Sequence, residues 1–370
     1  MKTRVVHLIN GLGKGGAETM LYQIIKYRTE NAPDYMVISL GLSHYYEEMI
    51  KALKVDVVEF DFKKHPVKAI LGIRRILRRD DILCCWMYIA NLIGYVAGRK
   101  KVSKLIWCIR HSDLSRRNNS RKTLIINKIC AKLSTNVDAI AYNGNLARKV
   151  HSEAGYVPIK DCVLNNGLDL SEYHKDDVIK AQLRKEFGIA PEKKVILSVA
   201  RNHPIKDIPT FIKAFSDLKM SRNDVIAVMC GQDITGDNDY LIELCRKNGL
   251  IPGNDVIFLG FRENVNEILN IADVYVLHSA GEAFPNTLIQ AMACGIPVVS
   301  TDVGDVAGIL ESNEFVVKVG DHALMAEKTS FILDMKDEDR QRLMRTNRII
   351  VEERYDIHAV VKSYENLFSW

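Results

Sequence analysis

Three stretches of the sequence carry residue types that could do chemistry. Residues 5–18 read VVHLINGLGKGGAE, an apolar run that breaks into a G-x-G-x-x-G pattern at Gly11, Gly13 and Gly16. Glycines in such a loop let a ligand approach the backbone, and a helix opening behind them turns its amides toward an anion. Residues 198–207, SVARNHPIKD, set Arg201 just after a second apolar run and Lys206 near a helix start. The guanidinium fork of an arginine matches phosphate oxygens and a lysine adds a point charge, so the pair could neutralise a diphosphate that must leave. Residues 272–301 read as strand, loop, helix and strand, with Glu282 in the loop, Pro285-Asn286-Thr287 opening the helix and Gly295 stopping it. The amides at that helix start suit a phosphate, and Glu282 stands before them as an acceptor for sugar hydroxyls.

Each stretch has a plainer alternative. A dinucleotide site would need an acidic residue at the end of the second strand to hold ribose hydroxyls, and Ser39-Leu40-Gly41-Leu42-Ser43-His44 contains none. That leaves a phosphate loop or a tight turn that needs small residues. Arg201 and Lys206 could be solvated loop cations, and Glu282 a cap that only complements the helix dipole.

The elements that must position these residues can be read from periodicity. Short β-rich runs at 5–9, 36–40, 55–60, 82–86, 105–109, 137–141 and 162–164 alternate with amphipathic helical patterns, the signature of βαβ units on a parallel sheet. The pattern breaks into turn chemistry at NNGLDLSEYHK (165–175), and a second series begins beyond it at 195–199, 225–230, 256–259, 274–277 and 297–300. The 370 residues are too many for one ordinary core and suit two domains of about 150–200 residues each. We therefore expect an N-terminal Rossmann-like domain over 1–170, a C-terminal one over 171–352, and a closing helix over 353–370 that packs back toward the first. In parallel sheets ligands bind beyond the carboxyl ends of the strands, where all three stretches fall.

Taken together, these stretches resemble the retaining glycosyltransferases of family four. The matching residues are Gly15-Gly16-Ala17-Glu18, Asn166-Gly167-Leu168-Asp169, Arg201-x4-Lys206, Glu282-x-Phe-Pro-Asn and Gly295-x-Pro-Val-Val-Ser-Thr, in order along nearly the whole chain. The resemblance implies the α/β GT-B architecture, two Rossmann-like parallel-sheet domains facing each other across a cleft, and transfer of a sugar from a nucleotide donor. It implies that Arg201 and Lys206 bind the donor diphosphate and stabilise it as leaving group, and that Glu282 holds donor sugar hydroxyls. Backbone amides around Phe284, Pro285, Asn286 and Thr287 would hold phosphates, as would Gly15 and Gly16. His111, after a first-domain strand, matches the family's sugar-contacting histidine; by itself it reads as a loop histidine. The family's Glu-x7-Glu becomes Glu282-x7-Gln290 here, and an amide in place of a carboxylate has no charge with which to hold the ribose diol. No cofactor or metal is expected, since the Arg/Lys pair takes the role of a cation. The D-x-D matches at Asp237-Asn238-Asp239 and Asp337-Glu338-Asp339 stand at expected helix starts, where acids are common.

Charge is distributed unevenly. Between Asp61 and Thr135 there are 18 Lys or Arg against 4 Asp or Glu, and the net charge of the whole chain is only +5. Residues 116–132 read as a basic amphipathic helix, suited either to the first-domain core or to an anionic membrane surface. The second possibility would bring a polyprenyl-diphosphate-linked glycan acceptor within reach, in bacterial surface polysaccharide synthesis. Nucleic acid fits less well, because aromatics are not interleaved with the cations. Eight scattered cysteines without a C-x-x-C pair read as reduced thiols, which would leave the Asn118-Asn119-Ser120 glycosylation match without meaning. No apolar run is long enough to span a bilayer and no secretory signal opens the chain, so a cytoplasmic protein is expected, peripheral on the inner face of the membrane. The leading expectation is a UDP-sugar-dependent transferase. The alternatives are a nucleotide-sugar epimerase or dehydrogenase and a non-catalytic nucleotide-sugar-binding protein, the latter hinted at by Gln290.

Overall fold

A computed structural model describes residues 3–116 and 119–370. Arg117, counted among the basic residues above, and Asn118 of the glycosylation match lie outside the described residues. The chain forms two units, Met1–Gly167 with Ile357–Trp370 and Leu168–Asp356.

The first unit runs β1 (Arg4–Ile9), α1 (Gly16–Lys26), β2 (Asp34–Ser39), α2 (Glu47–Ala52), β3 (Asp56–Glu59), α3 (Pro66–Ile76), β4 (Ile82–Trp86), α4 (Met87–Gly98), β5 (Lys104–Ile109), α5 (Arg121–Leu133), β6 (Ala139–Tyr142), α6 (Asn145–Glu153) and β7 (Lys160–Val163). All pairings are parallel, in the order β3-β2-β1-β4-β5-β6-β7. Alternate strand residues feed two separate cores. Val5, Ile9, Cys84 and Trp86 face α1 on one side, while Val6, Leu8, Leu83 and Cys85 face α3, α4, α5 and α6 on the other. A strand buried on both faces must be apolar at every position, which is why β4 reads ILCCW. Gly94 lets α4 lie against that strand, since a Cβ there would come within 2.2 Å of the Cys85 sulfur.

The second unit runs α7 (Asp177–Glu186), β8 (Lys194–Val199), α8 (Ile208–Ser221), β9 (Val225–Cys230), α9 (Asp239–Lys247), β10 (Val256–Phe258), α10 (Val265–Leu269), β11 (Val274–Leu277), α11 (Asn286–Ala293), β12 (Val298–Thr301), α12 (Val306–Leu310), β13 (Val316–Val317), α13 (His322–Asp334) and α14 (Asp337–Arg354). Its six strands are parallel in the order β10-β9-β8-β11-β12-β13. The last helix, α15 (Ile357–Ser369), belongs to the first unit. Its Ile357, Val361, Tyr364 and Phe368 are buried with Val5 and Trp86, and Tyr364 accepts a hydrogen bond from Arg110, which also donates to Asn166 Oδ1 at 2.7 Å.

The basic helix expected over 116–132 begins only at Arg121. Ser120 is extended and its hydroxyl accepts from the Thr123 amide, an N-cap that starts the helix there. The two D-x-D matches stand at the starts of α9 and α14, where Asn238 caps by accepting from Leu241 N. All eight cysteines are free, and burial pushes Cys230 and Cys245 up to about 11.

One glycine in the second sheet is obligatory. Gly231, after β9, has φ of 149°, and a Cβ on it would lie 2.0 Å from the carbonyl oxygen of Ala200. That approach ties the Arg201 loop to β9, with Ala200 N donating to Cys230 O at 2.9 Å. Gly231→Ala should therefore lower the stability of the full chain by about 2–4 kcal/mol in denaturant unfolding; an unchanged midpoint would show that the loop tolerates displacement.

Candidate functional site

In the second unit the loops after β8 and β11 converge. The β8 loop makes a single 3₁₀ turn at Pro204–Lys206, and Asp207 takes a left-handed conformation at φ 48° before α8. Asp207 is held there by the Thr210 hydroxyl, which donates to its Oδ2 at 2.7 Å. The turn delivers the Lys206 ammonium to Glu282, with Nζ 2.5 Å from Oε1. The same oxygen accepts from Ser279 Oγ at 2.7 Å. This pair is mostly buried, at 21% and 12% side-chain exposure, so it is screened less than a surface ion pair. Arg201 is exposed at the end of β8.

A buried histidine that the motifs do not point to holds the two loops together. His278, the first residue after β11, lies between Ser198 Oγ, 2.7 Å from its Nε2, and the carbonyl oxygen of Lys206, 2.5 Å from its Nδ1. A carbonyl only accepts, so Nδ1 carries the proton and Nε2 accepts from the serine hydroxyl. Burial lowers this imidazole from its ordinary value to about 4. A polar residue closing an apolar strand, next to Ser279-x-x-Glu282, is the only signal for it in the sequence.

Helix α11 comes next. Its N-cap is Pro285, which supplies no side-chain hydrogen bond to the first turn. The amides expected around 284–287 are fewer than the span suggests, because proline has no N–H and the Asn286 amide donates to Phe284 O at 3.0 Å. Phe284 is buried against Tyr355, with ring centroids 5.7 Å apart, and so anchors the turn. Thr287 accepts from the buried Tyr275 hydroxyl at 2.7 Å. Gln290 donates from Nε2 to the Tyr173 hydroxyl at 3.0 Å, and Arg348 ties the Tyr173 carbonyl to that of Ala293. Tyr173 lies 117 residues away in sequence, beyond the reach of motif reading.

The candidates of the first unit form a separate constellation. The glycine loop lies after β1 and ends at Gly15, the extended N-cap of α1. Gly11, Gly13, Gly15 and Gly16 are absent from the positive-φ residues, and a Cβ on Gly16 would meet nothing within 4 Å. The fold itself therefore does not require a glycine at 16, which disfavours the tight-turn explanation there. Lys14 lies over the Tyr45 ring at 4.4 Å. His111, after β5, has its Nε2 3.0 Å from Asn119 Oδ1 and its ring edge-on to buried Tyr88. Tyr88 in turn lies 2.7 Å from Nε2 of buried His151. Beside them Met87 is left-handed at φ 70°, and its sulfur accepts the Arg110 amide. Among the described residues one group, His44, Glu47 and Glu59, offers three ligand atoms within 4.8 Å of one another; the Lys51 ammonium, 2.5 Å from Glu47, already neutralises part of its charge.

Two units with parallel sheets of this kind have the GT-B architecture, and the likeness to known proteins agrees. Residues 179–349, nearly all of the second unit, match the family described as Glycosyl transferases group 1. The second unit is thus similar to this family over that span, in line with the family-four resemblance of the sequence. It is 29% identical over 216 residues to the N-acetyl-alpha-D-glucosaminyl L-malate synthase of Bacillus anthracis, covering 57% of this chain and 54% of that protein. It is 27% identical over 230 residues to the lipopolysaccharide core biosynthesis mannosyltransferase LpsB of Rhizobium meliloti, covering 58% of this chain and 63% of that one. The chain thus spans between half and two thirds of the length of these relatives. Its fold matches crystal structures of Anabaena Alr3699/HepE with UDP (TM-score 0.85) and with UDP-glucose (TM-score 0.83), both at 20% identity over 99% of this chain and 100% of that one.

The His278 clamp makes a pH-dependent contribution whose sign is fixed. The folded chain keeps this imidazole neutral down to about 4, whereas the unfolded chain takes up a proton near the ordinary value. The stabilisation is complete above that ordinary value and is lost as pH falls toward the folded one. Between pH values of about 7.5 and 5 the native chain should lose about 2 kcal/mol more stability than His278→Asn; equal losses in urea titrations at the two pH values would remove His278 as the titrating group.

Proposed function

We propose that this protein transfers a sugar from a nucleotide-sugar, most simply a UDP-sugar, to a glycan acceptor. The observation that carries the reading is the partly buried Lys206–Glu282 pair, 2.5 Å apart, set between exposed Arg201 and the start of α11, which no side chain caps. Cleaving a glycosyl phosphate bond leaves a diphosphate whose growing negative charge must be met by groups already in position. Lys206 and Arg201 supply the charge, and the Thr287 end of α11 adds a helix N-terminus. Glu282 orients donor sugar hydroxyls and keeps the Lys206 ammonium in place. Gln290, braced by Tyr173, faces the nucleotide as a neutral partner for the ribose. In the first unit Gly16 leaves room for a phosphate or sugar, while the Glu18 carboxylate already lies against Gly15, and His111 contacts the transferred sugar. In this reading the reaction retains anomeric configuration and needs no metal or other cofactor.

The donor assignment is supported by the bound UDP and UDP-glucose of the structurally similar Alr3699/HepE. The acceptor assignment, a polyprenyl-diphosphate-linked glycan met at the inner face of a bacterial membrane, is supported by the lipopolysaccharide role in the name of LpsB. No described helix is long and apolar enough to cross a membrane.

Lys206→Ala and Glu282→Ala should each lower turnover by about 10²–10³ while the unfolding midpoint stays within a few degrees of the native value. Wild-type turnover in either variant would overturn the assigned roles. UDP should raise the thermal midpoint more than other nucleoside diphosphates, and no stabilisation by any nucleotide or nucleotide-sugar would overturn the reading as a whole. Gln290→Glu restores a carboxylate beside the ribose and should tighten UDP binding severalfold in calorimetry; weaker binding would mean that the amide and Tyr173 are matched to each other.

A further inference from the structure

The outer layer of the first unit has a feature that sugar transfer leaves unused. Helices α3, α4 and α5 share one face of the sheet, where their Ile73, Ala90, Ala97 and Cys130 enter a common core with Leu83 and Trp107. Their outward surfaces are alike in chemistry. None of the three contains an Asp or Glu. Each exposes an aliphatic pair along one ridge, Val67 and Leu71 on α3, Ile89 and Val96 on α4, and Ile125 and Ile129 on α5, with Val67 68% and Ile125 59% exposed. Spacings of four and seven residues keep each pair on one side of its helix. Exposed cations flank the ridges: Lys68, Arg74 and Arg75 on α3, Lys100 just after α4, and Arg121, Lys122, Lys128 and Lys132 on α5. Among the described residues none of these eight cations has a carboxylate partner; Arg74 donates to a backbone carbonyl, that of Ala97, at 3.3 Å.

An ordinary solvated face intersperses acids among its bases and does not display six aliphatic side chains. The two peculiarities have one complement in common, an interface that offers negative charge at its surface and hydrocarbon just beneath. A nucleic acid would use the cations and leave the aliphatic ridges exposed, with no aromatic ring on them to stack a base. We infer that the α3–α4–α5 face is a docking surface for an anionic lipid bilayer. The valines, isoleucines and Leu71 enter the headgroup boundary, and the lysines and arginines around them pair with lipid phosphates. This deepens the transferase reading, on which its purpose rests, by naming the surface that would hold the enzyme beside a lipid-borne acceptor.

The test is flotation of the full chain with phosphatidylcholine vesicles, with and without phosphatidylglycerol as a third of the lipid. Binding should be at least about tenfold stronger to the anionic vesicles and should fall with added salt. The pair Ile125→Ser/Ile129→Ser should weaken binding about tenfold, and Lys122→Glu/Lys128→Glu should remove the preference for anionic lipid. Both pairs should keep the thermal shift that UDP produces in the native chain. The inference is overturned if anionic lipid gives no preference, if the isoleucine pair binds vesicles like the native chain, or if RNA binds as tightly as vesicles and is indifferent to that pair. It is also overturned if the isoleucine pair changes the oligomeric state of a chain that does not bind lipid. Failure of the transferase reading would look different: native chain on vesicles, with no response to nucleotide.

Discussion

Everything that could act on a donor in the second unit hangs from the carboxyl ends of two neighbouring parallel strands, β8 and β11, and one neutral imidazole joins their loops. His278 binds Ser198 on one strand and the Lys206 carbonyl on the loop beyond it. Because Lys206 is fixed through its backbone, its ammonium reaches Glu282 without the entropy cost of ordering a free loop. Ser279, the next residue, holds the same carboxylate oxygen. Cation and carboxylate are therefore placed by consecutive residues of one strand end, and burial keeps the imidazole at 278 neutral, with Nδ1 donating to the carbonyl and Nε2 left to accept from the serine. Preorganisation of this kind is what electrostatic catalysis requires, because the groups are aligned before charge develops.

The two units differ in how charge is arranged. The first holds the acid-free helices and the loop whose Gly16 has open space above it. The second holds the partly buried Lys206–Glu282 pair and most of the acids. A ligand with both phosphates and hydroxyls suits the second kind of surface, and a negatively charged interface suits the first.

The architecture is legible in the sequence because parallel strands buried on both faces are nearly pure apolar runs. The ends of β4, β9 and β11 coincide with the runs at 82–86, 225–230 and 274–277. The two-residue β13 lies in a short apolar run, Phe315-Val316-Val317, that is not among the strands expected from the sequence. Helix α5 starts five residues later than its charge pattern suggests, because basic residues continue the amphipathic pattern across the Ser120 cap. Candidate residues that succeed one another in a strand-to-helix loop, such as Glu282 and Thr287, can be picked out from the sequence. The partners that hold them cannot. Ser198 and His278 are 80 residues apart, and Tyr173 and Gln290 are 117. Such pairs arise from sheet order, which places β8 beside β11 although β9 and β10 intervene in the chain.

The return of α15 to the first unit bears on how the chain is made. The second unit is continuous from Leu168 to Asp356, whereas the first is completed only by Ile357–Trp370. During synthesis the second unit can close its cores as soon as it has emerged, while the core around Val5 and Trp86 waits for Tyr364 and Phe368. Until those residues arrive, the face of the first sheet that α15 covers stays open to water, so the half of the chain made first is the half finished last.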